Sequence, residues 1–129
     1  MPRKPLISIV DDDDSAREGT ADLIKSMGFI AKEFPHARGF LQSKSIRRTA
    51  CLIADVRMPE MTGIELHDRL VEPGHAISTI LMTAFPNDRD RTQARRSGVT
   101  CYLSKPFAED ELLACIHAAL KYDEAGQRK

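Results

Sequence analysis

Residues 51–59, Cys51-Leu-Ile-Ala-Asp-Val-Arg-Met-Pro59, place a carboxylate directly after four apolar residues. A short apolar run of this kind is typical of a strand that is buried on both faces of a sheet. The same pattern opens the chain, where Leu6-Ile-Ser-Ile-Val10 is followed by four aspartates at 11–14. Both segments therefore predict buried strands that end at acidic side chains.

Three further segments are predicted strands: Phe29–Phe34, Ala76–Met82 and Val99–Leu103. Helical segments separate the strands, and several local signals mark where the helices begin and end. These signals are capping boxes at Ser15-x-x-Glu18 and Thr62-x-x-Glu65, a cap at Asn87, and terminating glycines at Gly28 and Gly98. The predicted helices span about 15–27, 37–43, 62–70, 87–98 and 108–120.

Five strands that alternate with helices imply an α/β fold, with one parallel sheet covered on both faces. The crossovers between parallel strands must be right-handed, which leaves few arrangements of the sheet. The chain has 129 residues, which suits a single domain. We expect an ordered core over about 6–120 and a polar tail over 121–129.

Charge and cysteine content exclude several classes of protein. Lysine plus arginine number 19 and aspartate plus glutamate number 19, a balance that disfavours direct nucleic-acid binding. No apolar stretch is long enough for a membrane span or a signal segment, so we expect no membrane contact and a cytoplasmic location. The three cysteines, Cys51, Cys101 and Cys115, form no CxxC motif and are expected to be core residues in a reducing compartment.

Ligands of parallel sheets bind beyond the carboxyl ends of the strands. At that edge the predicted strands deliver three acids, a threonine and a lysine, with their neighbours: Asp11, Asp12, Asp55, Thr83, Ala84, Ser104, Lys105 and Pro106. Converging carboxylates repel one another unless a cation joins them, and oxygen ligands of this type suit Mg²⁺. An aspartate can also attack phosphorus to form an acyl phosphate, while a metal and a lysine neutralise charge on the transferred group.

Four motifs at predicted strand ends resemble the signature of response-regulator receiver domains: Val10-Asp-Asp12, Asp55 with Met58-Pro59 and Gly63, Thr83-Ala84, and Lys105-Pro-Phe107. The match covers roughly Leu6–Leu120 and is most similar to the FixJ-type branch. The resemblance implies a flavodoxin-like, CheY-like (βα)5 fold with strand order 2-1-3-4-5. It also implies a two-component phosphorelay signalling domain, not an enzyme that acts on external substrates.

The resemblance assigns roles to the residues of this site. Asp55 would accept a phosphoryl group from the phosphohistidine of a sensor kinase or a phosphotransfer protein, and Lys105 would pair with that group. Mg²⁺ would be held by Asp12, by Asp11 directly or through water, by Asp55, and by the backbone carbonyl of Arg57.

Further residues would carry the signal outward. Thr83 would turn its hydroxyl toward the phosphoryl group, Ala84 would contact the group through its backbone, and Tyr102 would move with Thr83. The resemblance also implies a cis Lys105-Pro106 bond. The fourth helix, fifth strand and fifth helix would form the switching surface, which is also the implied surface of a homodimer. The output partner stays open, as does whether the chain is part of a longer protein.

Two positions resemble those that flank the approach of water to an acyl phosphate: Arg57, two residues after Asp55, and Phe85, two residues after Thr83. The bulk of Phe85 is expected to exclude water. Arg57 donates hydrogen bonds but cannot act as a base. We therefore expect slow loss of the phosphoryl group, unless Phe85 points into the core and has no effect.

Three alternative functions are less consistent with the sequence. A phosphatase of the haloacid-dehalogenase type needs a second aspartate two residues after the nucleophile, where this chain has Arg57. A degenerate receiver usually lacks an acid, the acceptor or the lysine, all of which are present. A dinucleotide or flavin binder is disfavoured because no GxGxxG follows the first strand.

Other polar residues have simpler interpretations. Asp13 and Asp14 are expected to cap or solvate the first helix. The arginines of the fourth helix are expected to form a solvated face. The histidines show no metal-ligand spacing and are expected at the surface or its boundary: His36, His67, His75 and His117.

Overall fold

The computed structural model describes residues 4–75 and 77–127, with side chains described as far as residue 121. Five strands form one sheet in which all neighbouring pairs are parallel. The strands lie in the order β2-β1-β3-β4-β5, which confirms the implied strand order. Their bounds are β1 Leu6–Val10, β2 Ile30–Phe34, β3 Thr49–Asp55, β4 Ser78–Thr83 and β5 Cys101–Ser104.

The helices cover both faces of this sheet. They are α1 Asp14–Ser26, α2 Ala37–Leu41, α3 Gly63–Val71, α4 Asp88–Ser97 and α5 Glu109–Gln127, with a 3₁₀ helix at Lys44–Arg48. Buried residues of α1 and α5 pack against one face, and those of α2, α3 and α4 pack against the other. Side chains of β3 alternate between these two cores, with Leu52 in one and Ile53 in the other. Both faces of β3 are therefore buried, and the polar end of the strand is confined to the edge of the sheet.

The cysteines belong to the core shared by α1 and α5, as predicted. Cys51 is fully buried, and Cys101 and Cys115 pack against the same cluster. Burial, together with the neighbouring Cys101 thiol, raises the pKa of Cys115 to about 12. The Cys115 thiol therefore stays protonated at neutral pH and acts as an apolar packing group.

Several predicted helix ends are confirmed. Thr62 and Glu65 form a reciprocal capping box at the start of α3. The side chain of Asn87 accepts a hydrogen bond from the backbone of the first turn of α4. Gly28 and Gly98 have φ angles of 94° and 86°, a left-handed conformation that glycine adopts without steric cost.

Other boundaries differ from the predictions. The capping box predicted at Ser15 does not form, because the Asp13 side chain caps α1 by accepting a hydrogen bond from the Ala16 amide. The fifth helix runs to Gln127, so its predicted end at Leu120 is wrong. Lysine, glutamate, alanine and glutamine after Leu120 favour helix, and polarity alone does not end one. Ala76 and residues 128–129 of the predictions lie outside the described residues.

His67 was expected near the surface, but it is buried with only 4% of the residue exposed. Its Nε2 donates to the Ser97 carbonyl over 2.8 Å, and its Nδ1 lies 3.0 Å from the hydroxyl of Thr79. A carbonyl can only accept a hydrogen bond, so Nε2 must carry a proton. Spacing on α3 could not reveal that polar partners from β4 and α4 satisfy this imidazole.

Candidate functional site

Two buried carboxylates and one lysine meet at the carboxyl edge of the sheet. Asp55 ends β3 and Asp11 directly follows β1, while Lys105 directly follows β5. The Nζ atom of Lys105 lies 2.7 Å from Oδ2 of Asp55 and 3.1 Å from Oδ2 of Asp11. Buried charges are costly unless they are paired, and the shared ammonium group pairs both acids.

The second oxygen of each carboxylate is bound by a backbone amide. Oδ1 of Asp55 accepts from the amide of Arg57 over 2.9 Å, and Oδ1 of Asp11 accepts from the amide of Asp13 over 3.0 Å. Burial lowers the pKa of Lys105, but its pairs with Asp55 and Asp11 outweigh this effect and raise the pKa above its ordinary value. Lys105 is therefore a cation at neutral pH.

Thr83 lies beside this cluster at the end of β4 and is fully buried. Its hydroxyl oxygen accepts from the amide of Phe85 over 3.0 Å, and its carbonyl accepts from the amide of Lys105 over 2.8 Å. Ala84 is exposed, and Phe85 is 72% exposed, so the phenyl ring does not point into the core. The Lys105-Pro106 peptide bond is cis, as the resemblance implied.

Gly63 brings the start of α3 against the acceptor strand. Its amide donates to the carbonyl of Val56 over 3.1 Å. A Cβ atom at this position would lie 2.6 Å from the carbonyl oxygen of Asp55 and 2.9 Å from Cδ2 of Leu81. The position therefore requires glycine because of close backbone approach, which the sequence motif alone did not explain.

The oxygen atoms at this edge suit a hard divalent cation in their chemistry. Asp11 and Asp55 are held together by Lys105, whereas Asp12, the third predicted acid, is exposed. Among the residues described, no group of three or more histidine, cysteine, aspartate or glutamate side chains is arranged as a formed metal centre. Carboxylate and carbonyl oxygens are nonetheless the ligands that Mg²⁺ takes, so the residues present fit this ion.

Arg17 is a residue of the site that the sequence interpretation missed. It is largely buried, and its guanidinium donates to the backbone carbonyl of Asp11 over 2.9 Å. It also pairs with Asp14 at 2.8 Å and with Glu33 of β2 at 3.3 Å, and the hydrogen bond that it donates to Asp14 is the main cause of its raised pKa. The spacing of Asp14 and Arg17 on one helix face was the available signal.

Tyr102 lies away from the acidic cluster, on β5 and against the core of α2, α3 and α4. Its hydroxyl is buried and has no hydrogen-bond partner in the part of the chain that the structure describes. The guanidinium of Arg91 lies 5.2 Å from the centre of the ring. Arg91 is exposed, as expected of this helix, but it also makes this cation–π contact.

The side chain of Arg57 reaches away from the acidic cluster toward α4. Its guanidinium donates to Oδ2 of Asp90 over 3.0 Å. The same carboxylate oxygen accepts from the side-chain amide of Asn87 over 2.9 Å. The sequence interpretation did not predict this ion pair, which joins residues 33 positions apart.

The family profile of the response regulator receiver domain matches residues 7–117. The chain therefore belongs to the receiver domains of response regulators, which are signalling domains of two-component systems. Receiver domains generally use Mg²⁺ at their phosphorylation site, and response regulators work with a sensor kinase. In the described part of the chain, no helix has both the length and the apolar character of a membrane span.

Individual relatives agree with this assignment. Response regulator protein TmoT of Ectopseudomonas mendocina is 36% identical over 119 residues, which are 92% of this chain and 54% of that protein. Transcriptional regulatory protein FixJ of Azorhizobium caulinodans is 32% identical over 120 residues, 93% of this chain and 57% of that protein. The chain thus spans about half the length of these relatives.

Solved structures confirm the fold. The structure of response regulator StyR superposes with a TM-score of 0.89 and 35% identity, over 98% of this chain and 64% of that one. The crystal structure of FixJ-N gives a TM-score of 0.85 and 27% identity, over 93% of this chain and 96% of that one.

Proposed function

We propose that this receiver domain accepts a phosphoryl group on Asp55 from a sensor histidine kinase or a histidine phosphotransfer protein, and that the modification changes its binding to partners. The main support is the bridge that Lys105 makes between Asp55 and Asp11, at 2.7 and 3.1 Å. This arrangement combines a nucleophile, a cation for the transferred group and a second carboxylate at one edge of the sheet. A cytoplasmic location belongs to the same proposal.

In the proposed reaction, an oxygen of Asp55 forms a bond to phosphorus as the bond between phosphorus and the donor imidazole breaks. Lys105 stays close to Asp55 and neutralises part of the charge on the transferred oxygens. The residues that would hold Mg²⁺ are Asp11, Asp12, Asp55 and the carbonyl of Arg57. When bound, this ion supplies further neutralisation of phosphoryl charge.

Phosphorylation replaces the single negative charge of the Asp55 carboxylate with about −1.5 to −2 on the phosphoryl group. The Thr83 hydroxyl, which now accepts from the Phe85 amide, would turn to donate to the phosphoryl group, and the exposed Ala84 backbone would contact it. Tyr102 would move with Thr83. Its buried hydroxyl finds no hydrogen-bond partner among the residues that the structure describes. This supports the role, because an unsatisfied polar group makes the present position of Tyr102 costly.

These movements would alter the surface formed by α4, β5 and α5. We propose this surface as the contact for an output partner or domain and for a homodimer. The family relationship implies an output function. The matched relatives are about twice as long as this chain, so the identity of that function depends on the part of such proteins outside this domain.

The proposed phosphoryl group would be lost slowly. Phe85 is 72% exposed at the β4–α4 loop, where its ring could cover the approach of water. Arg57 contacts Asp55 through its backbone and has no side-chain acceptor that could orient water for attack. A partner kinase or phosphatase would then be needed to reset the domain.

Incubation with acetyl phosphate and Mg²⁺, followed by intact-mass spectrometry, tests the proposal. The wild-type protein should gain one phosphoryl group, and Asp55→Asn should gain none because an amide is not a nucleophile here. Asp68→Asn makes the same chemical change at an exposed position of α3 and should be labelled like the wild type. Labelling of Asp55→Asn at the wild-type level would exclude Asp55 as the acceptor.

A further inference from the structure

Arg57 contacts two regions of the molecule at once. Its backbone amide binds Oδ1 of Asp55 at 2.9 Å, and its side chain binds Asp90, in the first turn of α4, at 3.0 Å. The Arg57 side chain is 56% exposed, whereas that of Asp90 is 15% exposed. The guanidinium can therefore change partners while it stays hydrated, and Asp90 is the more fixed member of the pair.

The helix that receives this ion pair is weakly anchored. Ala94 is the only buried residue of α4, all of which lies within the described part of the chain. Polar contacts supply much of the remaining attachment: Arg57 to Asp90, His67 to the Ser97 carbonyl, and Arg91 over the Tyr102 ring. Loss of one such contact has a larger effect on a helix with little apolar packing.

We propose that Asp90 is a positioning residue that holds the Arg57 guanidinium away from Asp55, and that phosphorylation of Asp55 transfers this guanidinium from Asp90 to the phosphoryl group and so releases the first turn of α4. This inference rests on the proposed function. It adds a coupling between the acceptor and α4 that is separate from the movement of Thr83 and Tyr102.

Charge and hydrogen bonding favour the exchange. Asp90 offers one negative charge, whereas the phosphorylated acceptor offers about −1.5 to −2. Asp90 keeps its hydrogen bond from the Asn87 side chain, at 2.9 Å, after Arg57 leaves. Its carboxylate is then not left unsatisfied, which would otherwise oppose the release. Before phosphorylation, removal of Asp90 should free the guanidinium to attract the anionic phosphodonor.

The rate of phosphorylation by acetyl phosphate with Mg²⁺, followed by intact mass, tests this inference. Asp90→Ala should be labelled about twofold to fivefold faster than the wild type, the range that one partly exposed ion pair supports. Asp88→Ala removes the other acid from the first turn of α4 and should react at the wild-type rate, because Asp88 is exposed and forms no ion pair within the described residues. Asp90→Asn, which keeps the side-chain size, replaces Asp90→Ala if the alanine variant does not fold.

The same change is then made in an Arg57→Ala background. If Asp90 acts through the guanidinium, Asp90→Ala should have no effect on the rate there. Equal acceleration in the wild-type and Arg57→Ala backgrounds would show that Asp90→Ala only loosens α4, and would overturn the inference. A phosphorylation rate of Asp90→Ala at or below that of the wild type would also overturn it. Absence of labelling in the wild type, or labelling that survives Asp55→Asn, would instead overturn the proposed function and this inference with it.

Hydrogen exchange gives a second readout. In the wild type, the amides at the start of α4 should lose protection when Asp55 is phosphorylated. In Asp90→Ala these amides should exchange faster before phosphorylation and change little afterwards. Unchanged protection in a fully labelled wild-type protein would contradict the release of α4.

Discussion

Replacement of Gly63 by alanine tests how the start of α3 positions the acceptor strand. The added Cβ would lie 2.6 Å from the backbone carbonyl oxygen of Asp55 and 2.9 Å from Leu81 Cδ2, so α3 or the end of β3 must move. Overpacking of this kind costs about 1–3 kcal/mol. The better helix propensity of alanine offsets less than about 1 kcal/mol of this. We expect a net loss of about 1–2 kcal/mol in the free energy of unfolding.

Urea unfolding measures this loss, with Gly19→Ala as the control for Gly63→Ala. Gly19 lies within α1, and a Cβ there would meet nothing within 4 Å, so alanine should stabilise the protein by about 0.5–1 kcal/mol. The two substitutions should thus shift stability in opposite directions. Acetyl phosphate should also label Gly63→Ala more slowly, because displacement of the Asp55 backbone disturbs the acceptor. A Gly63→Ala protein as stable as the wild type would refute the close-contact argument.

Four further substitutions test the site. Lys105→Met should lower the melting temperature at neutral pH, because it leaves two buried carboxylates unpaired. Since these pairs raise the pKa of Lys105, the difference in melting temperature from the wild type should be present below pH 10.5 and should shrink as the pH rises further. A difference that does not depend on pH would contradict the ion-pair account. Calorimetric titration should show that Asp12→Ala weakens Mg²⁺ binding. Asp13→Ala should instead lower the free energy of unfolding by about 1 kcal/mol, because it removes the cap of α1. Equal effects of the two substitutions on Mg²⁺ affinity would mean that the metal ligands are assigned one residue out of register. Phe85→Gln should hasten decay of the phosphorylated protein in a single-turnover assay, and identical lifetimes would reject the gating role.

Strand ends were the most predictable part of the site. The apolar runs before Asp11 and Asp55 are buried strands, and the residue type that follows each run depends only on the local sequence. The parallel sheet then brings these ends to one edge, so Asp11, Asp55 and Lys105 could be grouped without knowing their contacts. The prediction of the strand order had another basis, because it came from the family resemblance and not from the periodicity of apolar residues.

Local patterns were less informative where two signals competed. Ser15 and Asp13 can both cap a helix, and the hydrogen bond that forms is the one from Ala16 to Asp13. The loss of apolar spacing after Leu120 predicts the end of the fifth helix there, whereas α5 continues to Gln127. Apolar spacing reports which face of a helix is buried, whereas helix continuation also depends on propensity.

The sequence by itself determined the alternation of strands and helices and the residue types at the carboxyl edge of the sheet, because both depend on neighbouring residues. Only the tertiary structure decided which groups bind each other across the chain: Arg57 with Asp90, His67 with Ser97, and Lys105 with both acids. Such pairs depend on the packing of separate elements, and polar side chains offer several possible partners until the fold brings one within hydrogen-bonding distance. For the same reason, the sequence could not show that Asp55 and α4 are connected through a single arginine.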